Sequence, residues 1–522
     1  MKSKKTGRKP PNQNPTGTQR SAKPFLIVGV GASAGGLEAF SLLLRHLPAD
    51  TGMGFVLVQH LDPQHESVLA SLLARTTSLT VVEAKHQTPV EPNHVYVIPP
   101  NTNMCIAKGV LQLQPREAGR GPHLAINFFL QSLAHDQQER AIGIVLSGTG
   151  TDGTLGLLAI KAEGGIAFAQ DESAKYDSMP RSAVAAGCVD RVLSPEDIAG
   201  ELARIASHPF AVHAFGKDLH TQPEKDREDA QSAGPDAPLP SGGSGTPSDG
   251  AEKARAEADA YGERALLDDG GFKKILLLLR SHSGVDFLLY KSSTIQRRVA
   301  RRVMLNKLES LQAYADFLRG NDAELDALYS DVLISVTSFF RNPESFEMLK
   351  KKVFPRLAAQ GKNDPVRVWV LGCSTGQEAY SIAMAFLEYT EHEKNAPKAQ
   401  VFATDVNDKL LEKARHGLYA KTLNLEISPE RLRRFFIEED GGYRISKALR
   451  EMCVFAKQNL IVDPPFSRMD LISCRNMLIY LDQSVQRKGN SNLSLCSQAH
   501  RLSVSRPIRV PGAVRGPFRT CR

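Results

Sequence analysis

Residues 25–40 read FLIVGVGASAGGLEAF, an apolar run that ends in a glycine-rich turn and then enters an amphipathic helix. The β-branched residues and the length of the apolar run predict a buried strand. The glycines permit a sharp turn and close packing of the next helix, which places Ser33 at the corner between strand and helix. Free amide groups at a helix N-terminus suit an oxyanion or a phosphate. This stretch alone therefore fits a nucleophilic serine, a nucleotide-binding turn or a plain structural turn.

Strands and helices alternate up to about residue 211, as in FLIVGVG, GLEAFSLLLRHL, GFVLVQHL and AIGIVLSG. This order predicts a doubly wound α/β domain with a largely parallel sheet, in which sites gather where strands end. Ser33, His60 and Asp152 each follow a predicted strand. A serine hydrolase uses these three side chains as nucleophile, base and orienting acid. His65 is a competing base, which the pattern places in the next helix.

Four motifs follow one another along this region: GASAGG, VLVQH, LSGTGTDG and MPRSAVAAG. In this order they resemble the catalytic domain of the chemotaxis protein-glutamate methylesterase, over most of residues 25–205. The resemblance implies that Ser33 is the nucleophile, His60 the general base and Asp152 the orienting acid. It also implies that the substrates are glutamate methyl esters on the cytoplasmic helices of receptors.

Two features depart from that family. Its usual enzyme begins with a phosphorylatable receiver domain, whereas a basic tail precedes residue 25 here, so control by phosphorylation within the chain is not expected. Thr149 stands where the family's LTGMG turn commonly has a methionine, which weakens the expectation of an oxyanion contact from that turn.

Composition limits the class of protein. The chain has 522 residues, 42% hydrophobic and 23% charged, which is ordinary for about three to four soluble globular domains. It contains no run of about 18 apolar residues, and its basic N-terminus lacks the apolar segment of a secretory signal. The seven cysteines show no CxxC spacing, which favours reduced thiols in the cytoplasm over disulfides or a zinc site. No bound metal is therefore expected.

The net charge of +8 is concentrated at the two ends. Residues 1–24 carry seven Lys and Arg and no acid, and residues 489–522 carry six Arg and no acid. Subtracting these thirteen charges from +8 leaves −5 for the remainder of the chain. The ends are predicted to be solvated tails, with residues 1–24 disordered, so the charge gives only weak support to nucleic-acid binding.

Residues 212–262 are rich in Pro, Gly, Ser, Asp and Glu and are predicted to form a flexible linker between two folded halves. A helical domain is predicted over residues 263–352. One of its helices contains STIQRRVARRVMLNKL, in which an apolar stripe and a cationic face recur every four residues. The stripe is Ile295, Val299 and Val303, and the cationic face is Arg297, Arg298, Arg301 and Arg302. Such a face fits either a solvated surface or a contact with an acidic partner.

A second α/β unit begins with VRVWVLGCSTGQEAYSIAMAF, a strand, a glycine loop that includes Gly372, and a helix. The next strand, QVFATDVN, contains Asp405, and MDLISCRNMLIYLD places Arg475 and Asn476 at a further strand end. A glycine loop on one strand and an acid on the next are how Rossmann-type sheets hold a nucleoside. The loop GCSTG lacks the GxGxxG spacing and the Walker lysine, which favours S-adenosylmethionine over a dinucleotide or ATP.

The second half also contains TSFFRNPESF, LGCSTGQEAYSIA, FATDVN, ARHGLY, KQNL and ISCRNMLIYLD in this order. Over residues 270–487 these motifs resemble the chemotaxis receptor glutamate methyltransferase, which implies S-adenosylmethionine as cofactor. Eight positions match that family's cofactor-binding residues: Thr337, Arg341, Glu378, Asp405, Asn459, Leu460, Arg475 and Asn476. Ser335 stands where the motif commonly has asparagine. The arginine-rich helix falls in the family's small N-terminal domain, where a basic helix contacts receptors.

After residue 488 the chain reads GNSNLSLCSQAHRLSVSRPIRVPGAVRGPFRTCR, with excess Ser and Arg and no sustained helical or strand period. A frameshifted end is the simplest interpretation, and a genuine arginine-rich tail is the alternative. Loss of the last strands would expose the edge of the second sheet. The second α/β domain, at residues 353–488, is therefore expected to be incomplete and less stable than the first.

These patterns predict two doubly wound α/β domains, one of methylesterase type and one a Rossmann-like methyltransferase, with a small helical domain between them. The hypothesis is a cytoplasmic fusion of the two opposing chemotaxis modification enzymes, with an esterase half at residues 25–211 and a transferase half at residues 263–488. Its expected partner is a methyl-accepting chemotaxis-type receptor or another signalling protein. Two alternatives stay open: a signalling scaffold with one or both sites silent, and nucleic-acid binding through the arginine-rich ends.

Overall fold

The structure is a computed structural model of the chain. It describes residues 24–60, 68–116, 124–213, 270–333, 337–359, 364–391, 397–482, 485–486, 502–505 and 518–520. The expectations for the tail before residue 24, for His65, for Ser335 and for the linker beyond residue 213 lie outside these residues. Within the described residues, no helix has both the length and the apolar character needed to cross a membrane.

The first half alternates strands and helices, as its sequence predicts. The strands are β1 (Ile27–Ala32), β2 (Gly54–Gln59), β3 (Thr80–Glu83), β4 (Thr88–Pro89), β5 (His94–Val97), β6 (Thr102–Ala107), β7 (Val110–Pro115), β8 (Ala141–Val145), β9 (Ile166–Gln170) and β10 (Arg191–Leu193). The helices are α1 (Gly36–His46), α2 (Leu69–Leu73), α3 (Ala125–Gln137), α4 (Thr154–Glu163), α5 (Ser178–Ala185), α6 (Pro195–Ala206) and α7 (Pro209–His213), with a 3-10 turn at Gln138–Arg140.

Seven of these strands form one parallel sheet in the order β10-β9-β8-β1-β2-β5-β3. Strand β1 lies in the middle and is buried along its whole length, which explains why its sequence is a continuous apolar run. One face packs against α1 and α6 and the other against α3 and α4. The chain leaves β1 toward β2 and later crosses to β8 on its other side, so a topological switch point lies between β1 and β8. The remaining three strands form a separate antiparallel sheet, β4-β7-β6.

A helical region follows, with its own apolar core. Its helices are α8 (Gly270–Ser283), α9 (Ser292–Leu305), α10 (Leu311–Leu318) and α11 (Asp322–Val332), with a 3-10 turn at Phe287–Leu289. The apolar stripe of α9 is buried in that core, because Ile295, Val299 and Val303 are at most 1% exposed. The four-residue spacing therefore predicts the inward face of this helix correctly.

The second α/β region completes the described fold. Its helices are α12 (Pro343–Met348), α13 (Phe354–Ala358), α14 (Gln377–Thr390), α15 (Asp408–His416), α16 (Pro429–Phe435) and α17 (Lys447–Met452), with a π-helical turn at Leu349–Val353 and 3-10 turns at Lys421–Leu425 and Leu478–Tyr480. Its strands are β11 (Val366–Leu371), β12 (Ala399–Asp405), β13 (Leu418–Tyr419), β14 (Phe436–Glu439), β15 (Gly442–Ile445), β16 (Cys453–Lys457), β17 (Leu471–Cys474), β18 (Leu502–Ser505) and β19 (Phe518–Thr520).

The main sheet of this region has the order β16-β12-β11-β17-β18-β19, and β13, β15 and β14 form a small antiparallel sheet. The first five strands of this order, β16, β12, β11, β17 and β18, are parallel, and β19 is antiparallel to β18. The sequence shows no sustained strand period after residue 488, but the structure places β18 there, paired with β17 in a register that sets Leu502 opposite Leu471. The sequence of β18, LSVS, alternates apolar and polar residues over only four positions, too short a run to indicate a strand by itself.

Candidate active sites

Ser33 lies at the corner between β1 and α1, at the switch point of the first sheet. Its amide donates to the Ser147 carbonyl at 3.0 Å, and its carbonyl accepts from the Gly36 amide at 2.9 Å. Gly35 has a φ of +75°, and a Cβ there would lie 2.7 Å from Ser147 Oγ. Only glycine accepts both the positive φ and the close approach of Ser147 Oγ without strain, so the glycine-rich turn fixes the backbone of Ser33.

A chain of two side-chain hydrogen bonds joins the three predicted catalytic residues. Ser33 Oγ lies 3.3 Å from His60 Nδ1, and His60 Nε2 lies 2.9 Å from Asp152 Oδ2. A carboxylate only accepts hydrogen bonds, so the contact with Asp152 favours the tautomer that carries its proton on Nε2. That tautomer leaves the Nδ1 lone pair facing the serine hydroxyl, as a general base requires.

Asp152 is 2% exposed and is held by backbone amides. Its carboxylate accepts from the amides of Ile126 at 3.0 Å and Asn127 at 2.9 Å, both in the first turn of α3, and from the Gly153 amide at 2.9 Å. The first amides of a helix have no acceptor within the helix, so the start of α3 holds the carboxylate in place through hydrogen bonds. The Asn127 side chain accepts from the amides of Gly153 and Gly156 and braces the same loop. In the sequence, Asn127 is marked only as a polar side chain at the start of an otherwise apolar helix, which does not indicate its role in bracing the loop.

A cavity opens beside the serine and is lined by residues 33–38 together with Gln59 and His60. Among the described residues, no acceptor binds the amides of Ala34 and Gly35. Backbone amides beside the serine suit a developing oxyanion. Thr149 is exposed in the turn after β8, and Gln59 Nε2 donates to the Ser33 carbonyl at 3.3 Å.

A second cavity lies where β11, β12 and β17 end. The structure brings all nine predicted cofactor residues into its wall, namely Thr337, Arg341, Gly372, Glu378, Asp405, Asn459, Leu460, Arg475 and Asn476. The wall also contains Tyr290 and Leu333 from the helical region. Nothing in the sequence pattern indicated these two, because their position depends on how the helical region packs against the sheet.

Two carboxylates of this cavity are held in place but are poorly solvated. Asp405 accepts from the Ser374 amide at 2.8 Å and from the Asn407 amide at 3.0 Å. Glu378 Oε1 accepts from Ser473 Oγ at 2.6 Å. Burial raises the pKa of Asp405 above its ordinary value, against the effect of the amide donors. Burial also raises the pKa of Glu378, although the positive charge of Arg475 opposes it.

The residues of this cavity fit S-adenosylmethionine. Gly372 directly follows β11 and has a φ of +62°, and a Cβ there would approach Met477 Cγ to 3.0 Å, so glycine keeps this side of the cavity clear. Carboxylates suit the ribose hydroxyls and the amino group of such a ligand, and guanidinium groups suit its carboxylate. Asp405, Glu378, Arg341 and Arg475 supply these chemistries around one space.

The cationic face of α9 is not a solvated surface in this structure. Arg298 is 4% exposed and Arg301 is 1% exposed, and both contact the first half of the chain. Arg297 binds Glu139 of that half at 3.0 Å, whereas Arg302 binds Glu324 within the helical region at 2.9 Å. Of the two interpretations of this face, the solvated surface does not hold for Arg298 and Arg301 in this structure. Helical spacing predicts which residues share a face, but not which element covers it.

Three family models match the chain. The model of CheB methylesterase matches residues 28–202, the model of CheR methyltransferase, all-alpha domain, matches residues 270–333, and the model of CheR methyltransferase, SAM binding domain, matches residues 335–494. The three matches follow the order of the esterase fold, the helical region and the second α/β region.

Two curated proteins and one solved structure are similar to parts of the chain. A chemotaxis protein methyltransferase of Escherichia coli strain K12 is 31% identical over 238 residues, which cover 43% of this chain and 79% of that protein. An uncharacterized 104.1 kDa protein of Rhodobacter capsulatus is 38% identical over 423 residues, 80% of this chain, and the chain spans 42% of that protein. A solved CheB methylesterase catalytic domain from Thermotoga maritima is 29% identical over 35% of this chain and 99% of that one, with a TM-score of 0.33.

Fold, sites and matches define a serine methylesterase domain followed by a methyltransferase that uses S-adenosylmethionine. The chain belongs to the CheR family of chemotaxis methyltransferases, and a CheB methylesterase domain precedes its CheR domains. The cofactor of its second half is S-adenosylmethionine.

Proposed function

We propose that the chain edits the methylation of signalling receptors in both directions. Its esterase half, at residues 25–211, hydrolyses glutamate methyl esters, and its transferase half, at residues 263–488, methylates glutamate carboxylates. The observation that carries the proposal is the hydrogen-bonded chain of Ser33, His60 and Asp152, because a silent scaffold gains nothing from this alignment. The complete set of cofactor residues around the second cavity supports the transferase half.

The esterase geometry supports a two-step hydrolysis. His60 Nδ1 takes the hydroxyl proton as Ser33 Oγ attacks the ester carbonyl carbon, and the amides of Ala34 and Gly35 stabilise the oxyanion. Methanol then leaves with the proton from His60, and the glutamyl group stays on Ser33 as an ester. Water, deprotonated by His60, then attacks that ester. His60 returns the proton to Ser33 Oγ as that oxygen leaves, so the glutamate carboxylate is released and the Ser33 hydroxyl is restored. Asp152 stabilises the imidazolium that forms in each step.

The transferase residues act mainly by positioning. S-Adenosylmethionine supplies an electrophilic methyl group when bound, so a carboxylate acceptor needs no strong base. Asp405 would hold the ribose hydroxyls, Glu378 would hold the amino group, and Arg341 and Arg475 would hold the carboxylate of the cofactor. Thr337, Asn459, Leu460 and Asn476 shape the rest of the cavity. The walls exclude water, which raises the reactivity of a desolvated carboxylate.

The proposed partner is a methyl-accepting receptor or a related signalling protein, and the proposed compartment is the cytoplasm. The cysteine pattern supports a reducing compartment, since five described cysteines are free and four of them are buried. Contact of the α9 arginines with a receptor requires that α9 first leave the esterase half, which now covers Arg298 and Arg301.

A labelling experiment tests both activities. The full chain with Ser33→Ala is incubated with methyl-labelled S-adenosylmethionine and receptor cytoplasmic fragments, and label is expected to appear on glutamates. Adding the unaltered chain to the purified labelled receptor is expected to release labelled methanol. The chain with both Ser33→Ala and Asp405→Ala is the control, and it should transfer little label. The transferase proposal would be refuted if no glutamate acquires label in a receptor that an E. coli-type methyltransferase does methylate.

A further inference from the structure

The two halves meet at an interface in which each caps a helix end of the other. Arg298 of α9 donates to the Lys161 carbonyl at 2.8 Å and also to the Ala162 carbonyl, both in the last turn of α4. In return, Arg204 of α6 donates to the Met304 carbonyl at 2.8 Å in the last turn of α9. Terminal carbonyls lack partners within their own helix and carry the negative end of the helix dipole, so arginines satisfy them well.

A buried ion-pair cluster lies at the centre of this interface. Arg301 of α9 forms ion pairs with Asp190 of the esterase half and with Asp331 of α11, and all three side chains are at most 7% exposed. Burial alone would raise the pKa of Asp190, but Arg301 and Lys161 hold it below its ordinary value. Breaking one member of such a cluster leaves an uncompensated buried charge, so the docked arrangement is strongly specified.

Apolar contacts continue the interface around the charges. Met304 and Leu305, at the end of α9, are 3% and 4% exposed and belong to the same apolar cluster as α1 and α6 of the esterase half. Phe210 of α7 packs against this cluster and also against the helical core. The helical region therefore shares part of its core with the esterase half.

On the esterase side, α4 links the interface to the active site. Its C-terminal carbonyls bind Arg298, and its N-terminus directly follows Asp152 and Gly153. The ten residues of α4 span about 15 Å. A Cβ on Gly156 would lie 2.4 Å from Leu130 Cβ, so α4 packs closely on α3, whose first amides hold Asp152. A shift of α4 at its interface end therefore changes the amides around the catalytic carboxylate.

On the transferase side, the start of α9 is joined to the cofactor cavity. Lys291, the residue before α9, donates its amide to the Tyr480 carbonyl at 2.9 Å. Tyr290, one residue earlier, and Tyr480 both line the cofactor cavity. The helix that caps α4 therefore begins in the wall of that cavity.

A second connection runs through the end of α11. Asp331, the ion-pair partner of Arg301, directly precedes Val332 and Leu333, which line the same cavity. A ligand that orders this wall also restrains the carboxylate on which the buried cluster depends.

We infer that the α4–α9 interface couples the two active sites, so that a cofactor in the transferase cavity stabilises the docked interface and, through α4, the position of Asp152. The inference rests on the proposed function, since it names S-adenosylmethionine as the effector and ester hydrolysis as the affected reaction. Coupling of binding equilibria is reciprocal, so an intact interface also strengthens cofactor binding.

Hydrogen exchange of the full chain tests this directly, with S-adenosylhomocysteine as the probe because it cannot transfer a methyl group. We expect saturating probe to slow exchange across residues 153–163 by about five-fold or more. Arg298→Ala should abolish that protection, lower the esterase kcat about five- to ten-fold and leave KM unchanged. Arg204→Ala, which removes the cap on the opposite helix end, is the second variant if Arg298→Ala does not fold.

The matched control is Arg319→Ala, which removes an arginine of the helical region whose ion pair with Asp316 is exposed. It should keep both the protection and the esterase kcat. Calorimetric binding of S-adenosylhomocysteine without a change in exchange at residues 153–163 would overturn the inference alone. Absence of binding to the unaltered chain would overturn the proposed transferase function and the inference with it.

Discussion

The esterase site and the cofactor cavity both lie at a switch point of a parallel sheet, but they are assembled differently. Ser33, His60 and Asp152 follow three neighbouring strands of one sheet, and each is hydrogen-bonded to the next. The cofactor cavity takes its floor from β11, β12 and β17 and part of its wall from the helical region. A single sheet thus brings the three proposed catalytic residues together, whereas the shape of the cofactor cavity depends on how two regions pack.

The electrostatics of the two sites differ in the same way. The carboxylate of Asp152 is buried but is held by three backbone amides, two of them at the N-terminus of α3. Asp405 and Glu378 are half-buried in the wall of the cofactor cavity, and burial raises the pKa of both. The hydroxyl and amino groups of the ligand expected in this cavity would add donors to both carboxylates. The carboxylate of the esterase site therefore has its donors within the esterase half, whereas the two carboxylates of the transferase cavity face the space proposed for the ligand.

The strongest test of this difference is Asp152→Asn in the esterase site. The side-chain amide of the asparagine cannot hold the His60 ring in the tautomer that presents Nδ1 to Ser33, so the esterase kcat should fall by about 10³–10⁴. Cofactor binding should change little, because Asp152 does not line the cofactor cavity. Release of methanol from a methylated receptor fragment measures the first effect, and calorimetry with S-adenosylhomocysteine measures the second. Glu172→Gln, an exposed acid after β9, is the control. A loss of less than ten-fold would show that Asp152 does not orient the ring.

The corresponding change in the transferase, Asp405→Asn, should have a smaller effect. It removes charge-assisted hydrogen bonds to the ribose and weakens the bond to the Ser374 amide, so cofactor affinity should fall about 10- to 100-fold. Asp408→Asn, an exposed residue paired with Lys457, should leave affinity unchanged. Calorimetric titration compares the two variants. Equal affinities would mean that Asp405 supports the loop and does not contact the ligand.

A packing change tests how rigid the esterase corner is. A Cβ on Gly148 would lie 2.3 Å from Met179 Sδ and 3.0 Å from Ser33 Cβ, so Gly148→Ala should cost about 1–3 kcal/mol of stability and displace the nucleophile. The expected result is a lower melting temperature together with a reduced esterase kcat. Gly200→Ala, in a helix with open space around it, should be neutral or stabilising. A Gly148→Ala variant with unchanged kcat would mean that the corner yields without moving Ser33.

Much of both folds could be predicted because the signals for strands, turns and helices lie on residues that are adjacent in the sequence. A buried strand, a glycine turn and a helix are adjacent in residues 25–40, so the position of Ser33 follows from neighbouring residues. The ring orientation of His60 could not be predicted, since it depends on the distance between Ser33 and Asp152 in the folded sheet. The support that Asn127 gives to the Asp152 loop depends on the same packing of distant segments.

The arginines of α9 mark the limit of sequence reasoning. Their four-residue spacing predicts a shared face correctly, but a charged face reads as solvent-exposed whenever its partner lies far away in the sequence. Arg301 is separated from Asp190 by more than one hundred residues, and the ion pair exists only after the two halves have docked. The short strand β18 was missed for a related reason, because its pairing with β17 outweighs a weak local pattern.

The smallest expected effect is a pH dependence that belongs to the transferase cavity. Burial raises the folded-state pKa of Glu378 above its ordinary value of 4.5, so the folded cofactor-free protein binds a proton more readily than the unfolded chain. The stability that this group contributes is therefore full below about pH 4.5 and is lost as pH rises through the raised pKa.

The amino group of the cofactor requires the opposite state of Glu378, the ionised carboxylate. Affinity should accordingly fall a few-fold on acidification from about pH 8 to 5, as calorimetry with S-adenosylhomocysteine would measure. Glu378→Gln should bind more weakly at the upper pH and show a shallower slope, with the remainder due to Asp405, whose pKa burial also raises. An unchanged slope in Glu378→Gln would assign the pH dependence to Asp405 alone and remove Glu378 from the contact with the amino group.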